Sequence, residues 1–443
     1  MADISPLRNA AASARDRARR AIDIAMGLEP AVRRSVFTQF DADRIMAEAG
    51  ALDGDTERQK GPLAAILVSI KDLFDEKGQV TSVGSAILAD APPASADATA
   101  VDRLRAAGAV GCGRTTMSEF AFSGVGLNPH FGDPGNIFDP ARISGGSTSG
   151  GALSVALGIA DIALGTDTGG SVRIPAALNG LCGFKPTQSA VPLDGAFPLS
   201  QSCDSIGPLA HTISQCSAVH AVLSATTPPP QQHETLRIGI ATGILTEGLD
   251  AQVAADFQRA IATLAANGFA LTDIDLPMLD GFGNSNRVIV ASEAYRIHAS
   301  HLDRMETAGD PNVLRRIRAA QGFTPQDEAD ARAQRASAIA AFSAQAEDFD
   351  VLIAPTVPTV APLIADVKAD FDRLNGLMLR NPSAVNFLDG CAATVPMHAS
   401  QPLATGLMIF APGGHDWTVL RIAEKIEALL APLSATSPAA GQY

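Results

Sequence analysis

The sequence predicts an α/β fold, a single large domain with a mixed β-sheet core flanked by helices. Three observations predict it. After Gly61-Pro62, short apolar runs of strand length alternate with longer segments that are apolar at helical spacing, a βαβ rhythm. The chain has 443 residues, 46% hydrophobic and 18% charged, which is enough apolar material for a large core and too little charge for a disordered chain. The rhythm also resumes beyond the proline-rich stretch Thr226-Thr-Pro-Pro-Pro-Gln-Gln232. That stretch therefore reads as an excursion within one domain.

The elements follow in order. Residues 5–50 are alanine-rich and charged, with helical periodicity. Residues 1–60 are thus expected to form a helical segment packed on a main domain, 61–443. Ile66-Leu-Val-Ser-Ile70 is a buried strand that delivers Lys71 at its end. Residues 100–107 form a helix with Thr99 as N-cap, and 109–112 a short strand. Residues 151–157 are a helix and 162–164 a buried strand. Past the linker, 236–240 and 269–274 are strands and 251–267 a helix. Residues 290–347 are helical, and 371–382 are expected to be a mobile flap over the site.

Composition narrows the function. A net charge of −14 disfavours nonspecific binding to nucleic acid or anionic membranes, but leaves room for a local basic pocket. Five scattered cysteines, with no Cys-x-x-Cys pair, read as reduced buried thiols in a cytoplasmic protein. Scattered histidines give no metal-ligand spacing, so no metal or cofactor is expected. No apolar run reaches transmembrane length. The arginine-rich N-terminus lacks the apolar region of a signal peptide, and Asp3, Asp16 and Asp23 interrupt it.

Two glycine-rich loops carry the chemistry. One is Ser144-Gly-Gly-Ser147-Thr-Ser149-Gly150-Gly151 and the other Leu164-Gly-Thr-Asp-Thr-Gly-Gly-Ser171-Val-Arg173. Glycine permits positive φ and lets a substrate approach main-chain N–H groups. A glycine-rich turn ending on a hydroxyl suits a nucleophile beside an oxyanion hole. Lys71, beside an apolar strand, is a candidate desolvated amine. On local sequence alone these serines also read as turn or capping residues, Ser149 competing with Ser147 to cap the next helix. Lys71 likewise reads as a lysine reaching solvent. No Gly-x-Ser-x-Gly elbow, phosphate loop or dinucleotide fingerprint is present.

These segments resemble the amidase signature family of serine amidohydrolases. The matching stretches include Val-Ser-Ile-Lys71-Asp72, Gly145-Gly-Ser147-Thr-Ser, Gly165-Thr-Asp-Thr-Gly-Gly-Ser171-Val-Arg173, Gly183-Phe-Lys-Pro-Thr187 and Asp204-Ser-Ile-Gly-Pro208. Weaker matches lie at Asp350-Val-Leu-Ile-Ala-Pro355-Thr and Gly406-Leu-Met-Ile. The resemblance implies the amidase signature fold and a Ser-Ser-Lys triad. Ser171 would be the nucleophile, Ser147 a proton relay after a cis peptide, and Lys71 the general base. Backbone N–H groups of Thr168, Gly169, Gly170 and Ser171 would form the oxyanion hole. Met117, Phe120 and Phe122 would wall the acyl pocket, with Asp204 and Ser205 supporting the loops. Arg173 has two readings. In a malonamidase of the family an arginine one residue further along binds the substrate carboxylate, yet Asp167 is a ready ion-pair partner here, and that reading is preferred. His130 is a loop residue at the surface or near substrate.

The implied function is hydrolysis of the C–N bond of a small carboxamide, anilide or carbamate through a seryl acyl-enzyme. No cofactor, nucleic acid or membrane would be needed, and a homodimer is the default assembly. The alternative is the glutamine-dependent component of a transamidase, which draws ammonia from glutamine and acts on misacylated tRNA with partner subunits. Against it, Ile174 stands where that group has glutamine, and Met117-Ser118-Glu119-Phe120 replaces its Met-Asp-Glu-Phe. Thr148, Asn179 and Cys203 also depart from common family residues without touching the triad.

Overall fold

Continuous apolar runs become the inner strands of one sheet, as expected where both faces are covered. The computed structural model describes residues 13–230, 236–398 and 402–431. Among them lie eleven strands: β1 (Phe37–Gln39), β2 (Leu67–Lys71), β3 (Val110–Thr115), β4 (Ile162–Thr166), β5 (Cys182–Lys185), β6 (Ile206–Ala210), β7 (Arg237–Ala241), β8 (Ala270–Ile274), β9 (Val351–Pro355), β10 (Cys391–Pro396) and β11 (Gly406–Ala411). They form a single sheet in the order β1-β3-β2-β4-β6-β5-β10-β11-β9-β7-β8. The sheet is mixed: β2 runs parallel to β3 and β4, and β7 to β8 and β9, while the central strands pair antiparallel. The strands after the proline-rich stretch thus extend the same sheet, and the α/β reading holds.

The helices are α1 (Ala14–Gly27), α2 (Pro30–Val36), α3 (Ala42–Asp53), α4 (Thr99–Ala106), α5 (Ser149–Ala156), α6 (Arg173–Leu178), α7 (Ile213–Ser224), α8 (Ala251–Ala266), α9 (Phe282–His298), α10 (Leu302–Ala308), α11 (Pro311–Arg318), α12 (Pro325–Gln345), α13 (Ile364–Ala369), α14 (Phe371–Phe387) and α15 (Asp416–Leu430). Side-chain alternation along the strands sends neighbours to opposite layers. Leu407 and Ile409 of β11 join the core under α7, α8 and α15, whereas Met408 and Phe410 meet Phe342 of α12 and Phe387 of α14. Near the other edge, Leu67 of β2 packs with Ala18 of α1, Ala49 of α3 and Leu153 of α5, and Val68 faces the first layer. Where β5 and β6 run closest, a Cβ at Gly207 would collide with the Phe184 carbonyl oxygen, so only glycine fits.

Several details differ from expectation. The first sixty residues are not all helical: Phe37-Thr-Gln forms β1, antiparallel to β3. Three residues between helices are too few to show a strand period. Residues 5–12 and the tip of the linker, 231–232, lie outside the described residues. Thr99 does not cap α4; Ala98 holds that position without a side-chain bond. The stretch 371–382 is not a flap but most of α14, a 17-residue helix. Leu374, Met378, Val385 and Phe387 fall on its buried face, which holds it against the core. All five cysteines are buried and unpaired. Among the described residues no helix is long and apolar enough to cross a membrane.

A buried ion-pair cluster fixes the chain just beyond Lys71. Arg114 Nε donates to Asp72 Oδ1 at 2.8 Å, and its Nη1 to Glu76 Oε1 at 3.1 Å. The Gly84 N–H and the Ser82 hydroxyl donate to the other Asp72 oxygen. Removing the guanidinium would strand a fully buried carboxylate. Arg114→Ala should therefore lose about 3–5 kcal/mol of stability in denaturant unfolding. A loss under about 1 kcal/mol, the range of an exposed pair, would show that the cluster does not hold this segment.

Candidate active site

Parallel pairing of β2 with β4 sets Ile70 opposite Leu164, so the two strands end side by side. One delivers Lys71 and the other Thr166. Lys71 Nζ donates to Thr166 Oγ1 at 2.9 Å and to Ser147 Oγ at 2.8 Å. The lysine is fully buried. Burial drives its pKa down from 10.5 to about 7, against the opposing pull of Asp167 and Asp204. A substantial share of the amine is therefore neutral near pH 7, with a lone pair able to take a proton.

Ser147 follows a cis Gly146–Ser147 peptide. A Cβ at Gly146 would strike the Gly126 backbone nitrogen 2.5 Å away, so the loop needs glycine there. The Ser118 N–H donates to the Ser147 carbonyl at 3.1 Å. The Thr148 N–H donates to the Ser171 carbonyl at 3.2 Å and ties the two serine loops together. The Ser171 hydroxyl makes no hydrogen bond among the described residues, and Ser171 lines the main cavity. The Lys71–Ser147 contact is thus formed, whereas the two serine hydroxyls are not hydrogen-bonded to one another. Neither Ser147 nor Ser149 caps α5; the N-cap is Thr148, without a side-chain bond, and the Thr148 and Ser149 hydroxyls are buried without partners.

The Ser171 loop is shaped from inside by Asp167. Its carboxylate accepts from the N–H groups of Gly170 at 2.8 Å and Val172 at 3.2 Å. It also accepts from Arg173 Nη2 at 2.9 Å, Arg173 Nε at 3.0 Å and Asn386 Nδ2 at 3.0 Å. Burial alone would raise its pKa, but the Arg173 guanidinium wins and holds it well below the usual carboxylate range. The Gly170 N–H is therefore committed to Asp167. Those of Thr168, Gly169 and Ser171 have no partner among the described residues and stand at the cavity wall. Thr168 Oγ1 donates to Asp204 Oδ1 at 2.5 Å, and burial pushes the Asp204 carboxyl up to about 6. The Ser205 hydroxyl donates to the Asp167 carbonyl at 2.8 Å. Asp204 and Ser205 thus brace this loop.

The cavity over Ser171 encloses about 820 Å³, with walls from the 121–123 segment, α9, α11 and α14. Of the expected pocket residues, Phe122 lines it. Met117 and Phe120 are buried in the core instead, and the Phe120 ring lies 4.3 Å from that of His298. Arg173 is fully buried, paired with Asp167, and does not reach the cavity. His130 is half-buried and bonds Glu119 at 2.9 Å, away from the cavity. Sequence reasoning missed Thr166, whose place immediately before Asp167 at the strand end was the available clue. It also missed Arg287, Arg315, Arg316 and Arg380, cavity residues that belong to no motif. Among the described residues no cluster of His, Cys, Asp or Glu could hold a metal ion.

The Amidase family model matches residues 29–420. A 2-amino-5-chloromuconic acid deaminase of Comamonas testosteroni is 32% identical, over 91% of this chain and 90% of its own. The A subunit of the glutamyl-tRNA(Gln) amidotransferase from Acidothermus cellulolyticus is also 32% identical, over 94% of this chain and 91% of its own. The crystal structure of an amidase, 31% identical, superimposes with a TM-score of 0.87 over 95% of this chain and 96% of that one. The chain therefore belongs to the amidase signature family and is an amidase-family hydrolase acting on C–N bonds.

Proposed function

We propose that this protein hydrolyses a small carboxamide, anilide or carbamate through an acyl-enzyme on Ser171, with Ser147 and Lys71 as its proton relay. One observation carries the reading: a fully buried lysine amine, with its pKa brought to about 7, is bonded to Ser147 beside an unpaired serine hydroxyl at a cavity wall. Neutral Lys71 takes the Ser147 proton as Ser147 takes that of Ser171. The Ser171 oxygen bonds the carbonyl carbon, and the negative charge collects on the former carbonyl oxygen. The free N–H groups of Thr168, Gly169 and Ser171 receive it. The C–N bond then breaks, the amine leaves with the relayed proton, and water releases the acid by the same route.

The second reading, a component of a transamidase, is favoured by one finding, the amidotransferase relative's identity, equal to that of the deaminase. Ile174, buried in the core where that group has glutamine, weighs against it. The readings separate by ammonia or amine release from a panel of amides, anilides and carbamates by the purified chain alone. The proposal predicts turnover without partners, and a drop of at least ~10³-fold in Ser171→Ala and Lys71→Met. Turnover of glutamine that emerges only with partner proteins and tRNA would support the transamidase reading.

The pH dependence has a definite sign. The relay needs neutral Lys71, so kcat/KM should rise through about 7 and level off above it. A profile flat between about pH 5 and 9 would exclude this base. Stability moves in the same direction. Unfolded Lys71 holds its proton up to about 10.5, whereas the folded amine releases it near 7, so folding between these values expels a proton and is favoured by rising pH. The Tm gain of Lys71→Met should therefore be largest near pH 7 and shrink toward pH 10. A gain that does not vary with pH would contradict the depressed pKa.

A further inference from the structure

We infer that the cavity over Ser171 contains a subsite for a carboxylate carried by the substrate, built by the guanidinium groups of Arg316 on α11 and Arg380 on α14. The inference rests on the amidohydrolase reading and names the substrate class: amides that also bear a free carboxylate, such as half-amides of dicarboxylic acids.

Four arginines line the cavity (Arg287, Arg315, Arg316 and Arg380) against a single carboxylate, Asp372. This positive excess stands in a chain of net charge −14, so it runs against the composition. Asp372 is already committed to Arg315. Arg287 is exposed, its guanidinium 5.5 Å from the Phe323 ring centre. Arg316 and Arg380 are different. Arg316 makes no hydrogen bond or ion pair among the described residues, and its Nε is shielded from water. Its guanidinium lies 4.5 Å from the centre of the Phe122 ring, itself part of the cavity wall. Arg380 bonds Asn381 Oδ1 through Nε at 2.9 Å, while its Nη2 is buried and unpaired.

Burying a guanidinium donor without an acceptor is unfavourable, and a planar carboxylate offers two oxygens that match its fork. Burial also lowers the pKa of both groups, Arg316 to about 10, against the weaker pull of Asp372 on Arg316 and of Glu247 on Arg380. Phe122, Leu199, Val290 and Leu379 supply apolar wall to the same cavity. The site thus offers what a short aliphatic acid amide presents: a carbonyl for Ser171, a methylene body and a carboxylate.

The test uses Ser171→Ala protein, which binds without turnover. Succinamate, glutaramate and adipamate are titrated calorimetrically against butanamide, pentanamide and hexanamide. At least one half-amide should bind about tenfold or more tightly than its neutral counterpart, and Arg316→Gln and Arg380→Gln should each weaken it about tenfold. Arg318→Gln removes the same charge from the same helix as Arg316, but its partner is Glu306 and it does not line the cavity, so it should leave binding unchanged. The inference is overturned if no half-amide binds, if neutral amides bind equally well, or if Arg318→Gln has the same effect. The catalytic chain separates the two proposals. Turnover of neutral amides without a half-amide preference removes the subsite and keeps the amidohydrolase. Arginine-dependent binding of half-amides without hydrolysis by the natural chain keeps the subsite and removes the amidohydrolase.

Discussion

The site depends on keeping one amine out of water. Lys71 ends a strand whose five residues are all buried, and burial sets its proton affinity. The acidic neighbours, Asp167 and Asp204, pull the other way, but burial outweighs them. Asp167 is also paired with Arg173, and burial raises Asp204 to about 6. The Arg173 guanidinium, which does not reach the cavity, offsets part of the pull of Asp167 on the Lys71 amine.

The same aspartate, Asp167, governs the loop that carries Ser171. By accepting from Gly170, Val172 and the Arg173 guanidinium, it curls the backbone round its own carboxylate. The neighbouring N–H groups of Thr168, Gly169 and Ser171 are left without partners among the described residues, on residues that line the cavity. Thr168 is anchored in turn through Asp204, and α14 closes the arrangement with Asn386, which bonds both Asp167 and Arg173. The loop that carries Ser171 is thus held by one buried polar network. Such a network is worth having only when nearly every member is satisfied.

Much of this was legible in the chain because it is local. Short apolar runs marked β2 and β4, and the two glycine-rich loops marked Ser147 and Ser171. Other features depend on tertiary context. β1 is too short to show a period. The 371–382 stretch, expected to be a mobile flap, is instead fastened by its apolar face as a helix with Pro382 inside. Of Met117, Phe120 and Phe122, only the last meets the cavity, because positive φ at Phe120 and Ala121 turns the chain, a twist that non-glycine residues do not announce. The arginines come from three separate helices and converge only in the fold.

The most direct measurement is the titration of Lys71 itself, by NMR of protein carrying lysine labelled at Cε. The chain has only six lysines, and the Lys71 resonance is the one missing from Lys71→Met. The expected midpoint is near 7, well below the ordinary lysine value of 10.5. A Lys71 signal that stays protonated to about pH 10 would contradict the mechanism, since no neutral base would then exist for the relay.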